Sequence, residues 1–437
     1  MPSSANHTGT APSVAPLTRG QQHHVLWLAF LAWMFAGLQI QLFILIHLQM
    51  MDGLLGSGFD DKTATLWFAR FQAASMFGAA AGGWLFGTLG DSLGRTRSMG
   101  LSVLCYSGFT LACYFADSIS AMFALRFLAC LGIGGVWPNA VALVAEAWPS
   151  ASRPFLAGLL GAAANVGAVF LGVTAYHWHV TNGDWRWTLL IGAAPVGIGA
   201  WILIAVPESR RWLAAKAEAA NTPRGSSLGE ILRPPLLYTL LLGIGLGAVP
   251  VVGTAANASW VNPWTSKVKD AAAGGAAQKS KPDPGSKALT MINRSGGGIL
   301  GSLLGGIIAS FFGRRLTYFL ISLGTLALSS WIYGWINPLH PYFQYYVFAY
   351  GFIGVAYFGW LPLFLPEMFP TRVRSTGAGI SFNTGRIIAG IVALTTTSIV
   401  AATGGDYAAI GFWSGMIYVV GMFIIWLVPR TPPVLAD

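Results

Sequence analysis

The sequence predicts an all-α membrane protein with twelve transmembrane helices in two six-helix bundles. Three observations carry that prediction. The 437-residue chain is 54% hydrophobic and only 9% charged, with a mean hydropathy of +0.61, whereas soluble domains carry roughly 25% charged residues. Apolar stretches long enough to cross a bilayer, which takes about 20 residues, recur along the whole length. Two motif pairs repeat at nearly the same offset, as expected of a chain built from two related halves.

The spans read as 25–49, 63–89, 98–116, 120–147, 155–178, 186–206, 235–261, 289–312, 315–335, 342–366, 376–402 and 408–428. The 55 glycines exceed what helix propensity favours and fit close helix packing in lipid. Several of the 18 tryptophans fall near span ends, where an aromatic belt places them. The longer polar connection at 207–234 contains RRWLAAKAEAANTPRG, which reads as a short amphipathic helix and a linker. The predicted organisation is therefore a disordered cytoplasmic tail (1–24), a first bundle (25–206), a cytoplasmic linker (207–234), a second bundle (235–428) and a cytoplasmic tail (429–437). The N-terminal stretch has no apolar core of the kind a signal peptide needs.

Charge orients the spans. Arg95, Arg97, Arg153, Arg314, Arg315, Arg372 and Arg374 fall on one side, and Asp52, Asp60, Asp61, Asp117, Asp184 and Asp406 on the other. The positive-inside rule then puts both termini in the cytoplasm. The loop at about 265–288 disagrees, because it carries Lys267, Lys269, Lys279, Lys281 and Lys287 on the outer side. The net charge of +10 sits mostly in short connections, so it reads as topology. The expected surroundings are a lipid bilayer, with no nucleic acid.

The repeats supply the candidate gate. EAWPSASR (146–153) and EMFPTRVR (367–374) share E-x-x-P-x-x-x-R, and their acids lie 221 residues apart. GTLGDSLGR (87–95) and GIIASFFGR (306–314) share G-x-x-x-[DS]-x-x-G-R at an offset of 219. Asp91 can accept hydrogen bonds from a neighbouring helix N-terminus or pair with Arg95 or Arg97. Glu146 with Arg153, and Glu367 with Arg374, can form a network that holds one conformation closed. Arg314 repeats Arg95. Ser310 replaces the acid in the second copy, so that copy is expected to hold its contact less strongly. Ordinary anchoring of arginines at the membrane surface is the plainer reading of these blocks.

Buried charge supplies the candidate solute path. Arg70, Arg126 and Arg386 fall within apolar spans, where a charge is costly unless it faces a cavity or a partner. No acid is available at similar depth, so unpaired arginines suit an anionic solute, above all a carboxylate. Snorkelling to the interface is the alternative for Arg70 and Arg126. Asn139, Asn165, Asn257, Asn262, Tyr357 and Asn383 are polar residues that can line the path or bridge helices. Asn383 and Arg386 share a helix face. Trp360 can stack on a sugar ring or pack in the core. WMFAGLQIQLF (33–43) carries Gln39 and Gln41, about 200° apart around one helix. Gln39 is expected on the path and Gln41 against a neighbouring helix.

Other chemistries find no support. There is no G-x-x-x-x-G-K-[ST] for nucleotide-driven pumping. The His177 and His179 pair has no further clustered ligands for a metal. Cys105, Cys113 and Cys130 lie in apolar segments without CxxC spacing and read as small hydrophobes. No enzyme activity and no cofactor are expected.

With these blocks the chain resembles the major facilitator superfamily. GxxxDxxGR at 87–95 looks like the family signature between spans two and three. RFLACLGIGG (126–135), EAWP (146–149) and PESRRWL (207–213) resemble sugar and organic-acid porters. LPEMFPTRVRSTGAGISFNTGRI (365–387) looks like the branch of sialate and lactate proton symporters. The resemblance implies the major facilitator fold, alternating access, a functional monomer and a bacterial inner-membrane location. In related porters an aspartate of span one and an arginine opening span four form a proton-sensitive pair. Here the arginine matches Arg126, but the aspartate position falls on Gln39, and residues 25–49 contain no Asp or Glu. A glutamine cannot titrate. The expectation is a secondary transporter for a small organic acid, monocarboxylate- or sialate-like, running as a uniporter with protons as a possible co-solute. A hexose-like sugar carrier stays open as the alternative.

Overall fold

A computed structural model describes residues 17–148, 152–178, 180, 183–220, 227–261, 264, 265, 267, 268 and 284–429. The expected N-terminal tail up to residue 16, the tail from 430, Asn262, His179 and most of the lysine-rich loop lie outside the described residues. The protein is an all-helical, twelve-span membrane protein. Among the described residues, ten helices are long and apolar enough to cross a membrane.

The first span is one helix, α1 (Arg19–Leu55), longer at both ends than the apolar run. Its start is set by a capping box, in which Gln21 N donates to Thr18 Oγ1 (3.3 Å) and Thr18 N to Gln21 Oε1 (3.0 Å), satisfying two backbone donors. Then follow α2 (Asp61–Ser92), α3 (Arg95–Tyr114), α4 (Ile119–Ala147) and α5 (Arg153–His177). The sixth span is broken into α6 (Trp187–Ala193) and α7 (Val196–Ala205); Pro195 stands at the break. The connection holds α8 (Arg210–Ala220), the amphipathic helix expected there, and α9 (Ser227–Ile231).

The remaining spans are α10 (Leu236–Ala256), α11 (Pro284–Phe312), α12 (Arg314–Trp335), α13 (Phe343–Val355) with α14 (Tyr357–Phe364), α15 (Arg374–Ala402), and α16 (Tyr407–Ser414) with α17 (Ile417–Ile424). Spans ten and twelve are thus broken where the apolar pattern read as continuous.

The chain's two halves meet along α2 against α15 and α5 against α11. Aromatic rings fill the middle of this seam. Trp137 of α4 stacks on Phe382 of α15 at 4.1 Å, with Trp33 edge-on to the same ring at 6.4 Å.

Prolines inside helices free carbonyls, because proline has no N–H to return to residue i−4. Pro250 frees Leu246 O, which accepts from Tyr318 OH at 2.8 Å. Pro138 frees Gly134 O, and Asn383 Nδ2 approaches it from the other half at 3.4 Å. In apolar surroundings such replacement donors are what keep a kinked span tolerable.

Candidate functional site

The repeated G-R blocks build the candidate gate. Gly94 and Gly313 take φ of 118° and 80°, conformations that glycine adopts without strain. They turn the chain from α2 into α3 and from α11 into α12, and so aim Arg95 and Arg314 back towards the bundle.

In the first copy Asp91 does both things open to it in the sequence. It pairs with Arg95 at 2.8 Å and accepts from Ser375 N (3.2 Å) and Thr376 N (2.8 Å) at the start of α15. A carboxylate on free first-turn amides is favoured by hydrogen bonding and by the helix dipole. Arg95 also donates to Gly90 O at 2.8 Å and to Thr371 O across the seam. Glu146 accepts Arg95 at 3.3 Å and Arg374 at 2.9 Å, with Ser209 Oγ as a further donor.

Two residues of PESRRWL complete this corner and carried no gating role in the sequence reading. Glu208 caps α3, accepting from Arg95 N at 2.9 Å and Thr96 N at 3.2 Å, and Ser209 steadies Glu146. Their signal was present, an acid and a hydroxyl directly before the basic pair Arg210 and Arg211.

In the second copy Glu367 accepts Arg314 at 3.0 Å within the same half. Ser310 Oγ turns back onto its own helix, to Ile307 O at 2.6 Å. Arg153 makes no ion pair with Glu367 among the described residues. A cavity of about 20 Å³, lined by Arg153, Glu367 and Arg374 among others, separates them. That is room for about one water. Among the described residues, charge therefore joins the halves at the Glu146 corner and not at the Glu367 corner.

Beyond the aromatic floor lie the unpaired cations. Arg126 of α4 is buried. It donates to Ser75 Oγ and to Gln39 O, both at 3.1 Å, and stands 4.0 Å from the Phe43 ring centroid. Its Nη1 has no partner. Arg386 of α15 is 6% exposed, lies 5.5 Å from the Phe382 ring and has an orphan Nε. Its guanidinium is within electrostatic reach of Cys130, one turn along α4 from Arg126. No ion pair reaches either arginine among the described residues. Arg70 is exposed and rests on Trp67 at 4.7 Å, as a snorkelling residue does.

Several expected path residues are turned elsewhere. Gln39 is fully buried, and its Nε2 donates to Thr110 Oγ1 (2.9 Å) and Gly192 O (2.7 Å). It ties α1 to α3 and α6 through its NH2 group, while its Oε1 has no partner among the described residues. Gln41, on the opposite side of α1, is only partly buried and makes no hydrogen bond to a described residue. Gln39 thus makes the neighbouring-helix bonds expected of Gln41. Asn139 donates to Phe86 O, Ser98 Oγ and Gly135 O inside the first half. Asn257 takes donors from Ser329, Tyr333 and Tyr350 inside the second half.

Tyr357 OH donates to Ser322 Oγ at 2.7 Å. Trp360 Nε1 donates to Arg314 O at 2.8 Å, with its ring packed against Tyr318 and Phe364. Neither presents a free face to a sugar. Asn165 stands at the seam opposite Gly298, where a Cβ would lie 2.9 Å from its Oδ1. Asn383 sits in the seam beside Arg386 and is buried.

A further intramembrane arginine, Arg294 of α11, escaped the sequence reading. It lay in MINRSGGG near a span end, and tyrosines far apart in sequence (Tyr333, Tyr350, Tyr418) come within electrostatic reach of it only in the fold.

Twelve spans, a buried charge cluster at one end and buried arginines without an acid partner among the described residues fit a membrane carrier. A sequence model described as Major Facilitator Superfamily matches residues 25–265, and the chain belongs to that family. A model described as Sugar (and other) transporter matches residues 299–433. The chain is 26% identical to a probable 4-methylmuconolactone transporter of Cupriavidus pinatubonensis, over 94% of this chain and 91% of that one. It is 26% identical to the cis,cis-muconate transport protein of Acinetobacter baylyi (81% and 82% covered). It is 25% identical to the sialic acid transporter NanX of Escherichia coli (83% and 84% covered). The proton:xylose symporter XylE superposes with a TM-score of 0.72 at 16% identity, covering 95% of this chain and 97% of that one, which establishes the shared fold. The protein is a transporter and not an enzyme.

Proposed function

We propose that this carrier moves a small organic anion by alternating access, with the solute carboxylate held between the halves at Arg386 and Arg126. The observation that carries this reading is Arg386, a buried guanidinium on the seam with no acid beside it among the described residues. A bilayer-buried cation of this kind is costly when empty, and a carboxylate fits it bidentately. Relatives named for muconate, methylmuconolactone and sialic acid support an acid over a neutral sugar.

Transport runs as uniport, without a proton. The acids buried among the described residues, Asp91, Glu146 and Glu367, all sit at the gate. Gln39 stands where related porters carry a titrating acid, and its amide is engaged with Thr110 and Gly192. The gate faces the cytoplasm, the membrane is a bacterial inner membrane and the working unit is a monomer.

Radiolabelled uptake into proteoliposomes across benzoate, muconate, lactate, sialate and hexoses tests the substrate class. Uptake of acids is expected, and uptake of hexoses alone overturns the reading. Repeating the assay with an inward proton gradient tests the uniport, since accumulation above equilibrium would refute it. Arg386→Ala is expected to weaken binding of the transported acid at least tenfold, measured by equilibrium binding.

A further inference from the structure

Arg294 makes no hydrogen bond or ion pair to any described residue, although it lies within a membrane span and is partly buried. Its surroundings are phenolic. The Arg294 carbonyl packs against Gly351, next to Tyr350 on α13. Tyr333, Tyr350 and Tyr418 are 5%, 2% and 3% exposed and lie within electrostatic reach of its guanidinium. Neutral phenols do not cancel a charge, so the cation remains uncompensated.

Their hydrogens are already assigned, with one exception. Tyr333 OH donates to Asn257 O at 2.7 Å, and Tyr350 OH donates to Asn257 Oδ1. A hydroxyl carries one proton, so Tyr350 can only accept from Tyr418 across their 3.4 Å contact. That contact is long for an O–H···O bond. Tyr418 thus keeps a proton it can offer to a better acceptor, beside a guanidinium fork with no acceptor among the described residues. Asn257 is fully buried and receives Ser329 Oγ as well, so the cluster is held in place without a ligand.

Depth relates this cluster to the site above. At about 1.5 Å per residue, Arg294 lies about 27 Å along α11 from Phe312, and Arg126 about 30 Å along α4 from Glu146. Arg386 lies about 18 Å along α15 from Arg374. Two like charges at matched depth, one in each half, repel each other. A solute with one negative end satisfies only one of them.

We propose that Arg294 and Tyr418 form a second anion subsite, which takes the distal carboxylate of a dicarboxylate whose other carboxylate is held at Arg386 and Arg126. This rests on the organic-acid reading above and narrows it to two-headed acids. The dianion replaces repulsion between the halves by attraction to both, so its binding draws together the end of the path opposite the gate.

The test uses the full chain in proteoliposomes and three pairs of acids matched in carbon skeleton: adipate and hexanoate, muconate and sorbate, terephthalate and benzoate. Wild type is expected to prefer the dicarboxylate at least tenfold in one pair or more. Arg294→Gln should bring that ratio close to one while monoacid uptake persists, Arg294→Lys should restore part of it, and Tyr418→Phe should lower it about threefold. Equal loss of both members of a pair in Arg294→Gln, or no preference for dicarboxylates in wild type, overturns the proposal alone. Absence of any acid uptake by wild type removes the organic-acid reading as well. If Arg294→Gln is not monodisperse in detergent, the ratio in Tyr418→Phe decides.

Discussion

At the Glu146 corner one carboxylate holds Arg95 of its own half and Arg374 of the other, and Asp91 caps the helix that carries Arg374. At the Glu367 corner the carboxylate holds only Arg314, from its own half, while Arg153 stands off across a water-sized cavity. The residues are related by an internal repeat, yet only the first set joins the halves by charge. Two local changes account for this. Ser310 has replaced the acid. The helix it would cap begins with Arg153 and Pro154, and Pro154 has no N–H to give. The first corner has also gained Glu208 on the α3 amides, whereas the space around Gly313 is open. A gate fastened along one edge can part like a hinge, with the Glu367 edge yielding first.

The sharpest way to break this comparison is Glu146→Gln. It leaves Arg374 buried without its anion and Arg95 with Asp91 alone, and removing one partner of a buried pair costs about 3–5 kcal/mol. Uptake is expected to fall more than tenfold. A cysteine at Ser375, in a background lacking Cys105, Cys113 and Cys130, should react with maleimide at least tenfold faster. Unchanged labelling would show that the corner does not hold the gate.

Asp91→Asn removes the charge but leaves an amide oxygen able to accept, so a loss of about 1–2 kcal/mol is expected from the cap and dipole. The same labelling assay should read an increase of severalfold, smaller than for Glu146→Gln. Ser310→Asp should gain less than Asp91 contributes in the first copy, about 0.5–1 kcal/mol at most, because Pro154 has no N–H and leaves Phe155 N as the counterpart of the Thr376 amide. A marked slowing of transport by this variant would show that the serine alone causes the asymmetry.

The fold was legible because composition, span length and the repeat all report on burial in lipid, a property of whole segments. The gate was legible because its residues lie in short blocks whose spacing fixes their geometry. The solute path was less so. Asn139, Asn257, Tyr357 and Trp360 are polar or aromatic groups at membrane depth, and a sequence does not say whether such a group faces water or another helix. The structure ties each of them to a partner in its own half. Gln39 bonds a neighbouring helix for the same reason, since its separation from Gln41 shows that the two differ and not which one packs against a neighbour. Arg294 needed three tyrosines from three other helices to give it meaning, and no local pattern joins them.

Pro138 has one more consequence. Because it can never reclaim the Gly134 carbonyl, that oxygen remains an open acceptor whichever way the halves swing. In the present arrangement Asn383 reaches it weakly, at 3.4 Å. A parting of the seam would hand the oxygen to water, so that it need not be left bare. A poor bond that is easily exchanged suits a moving surface better than a strong one, since it lowers the threshold for separation without stranding a polar atom in oil.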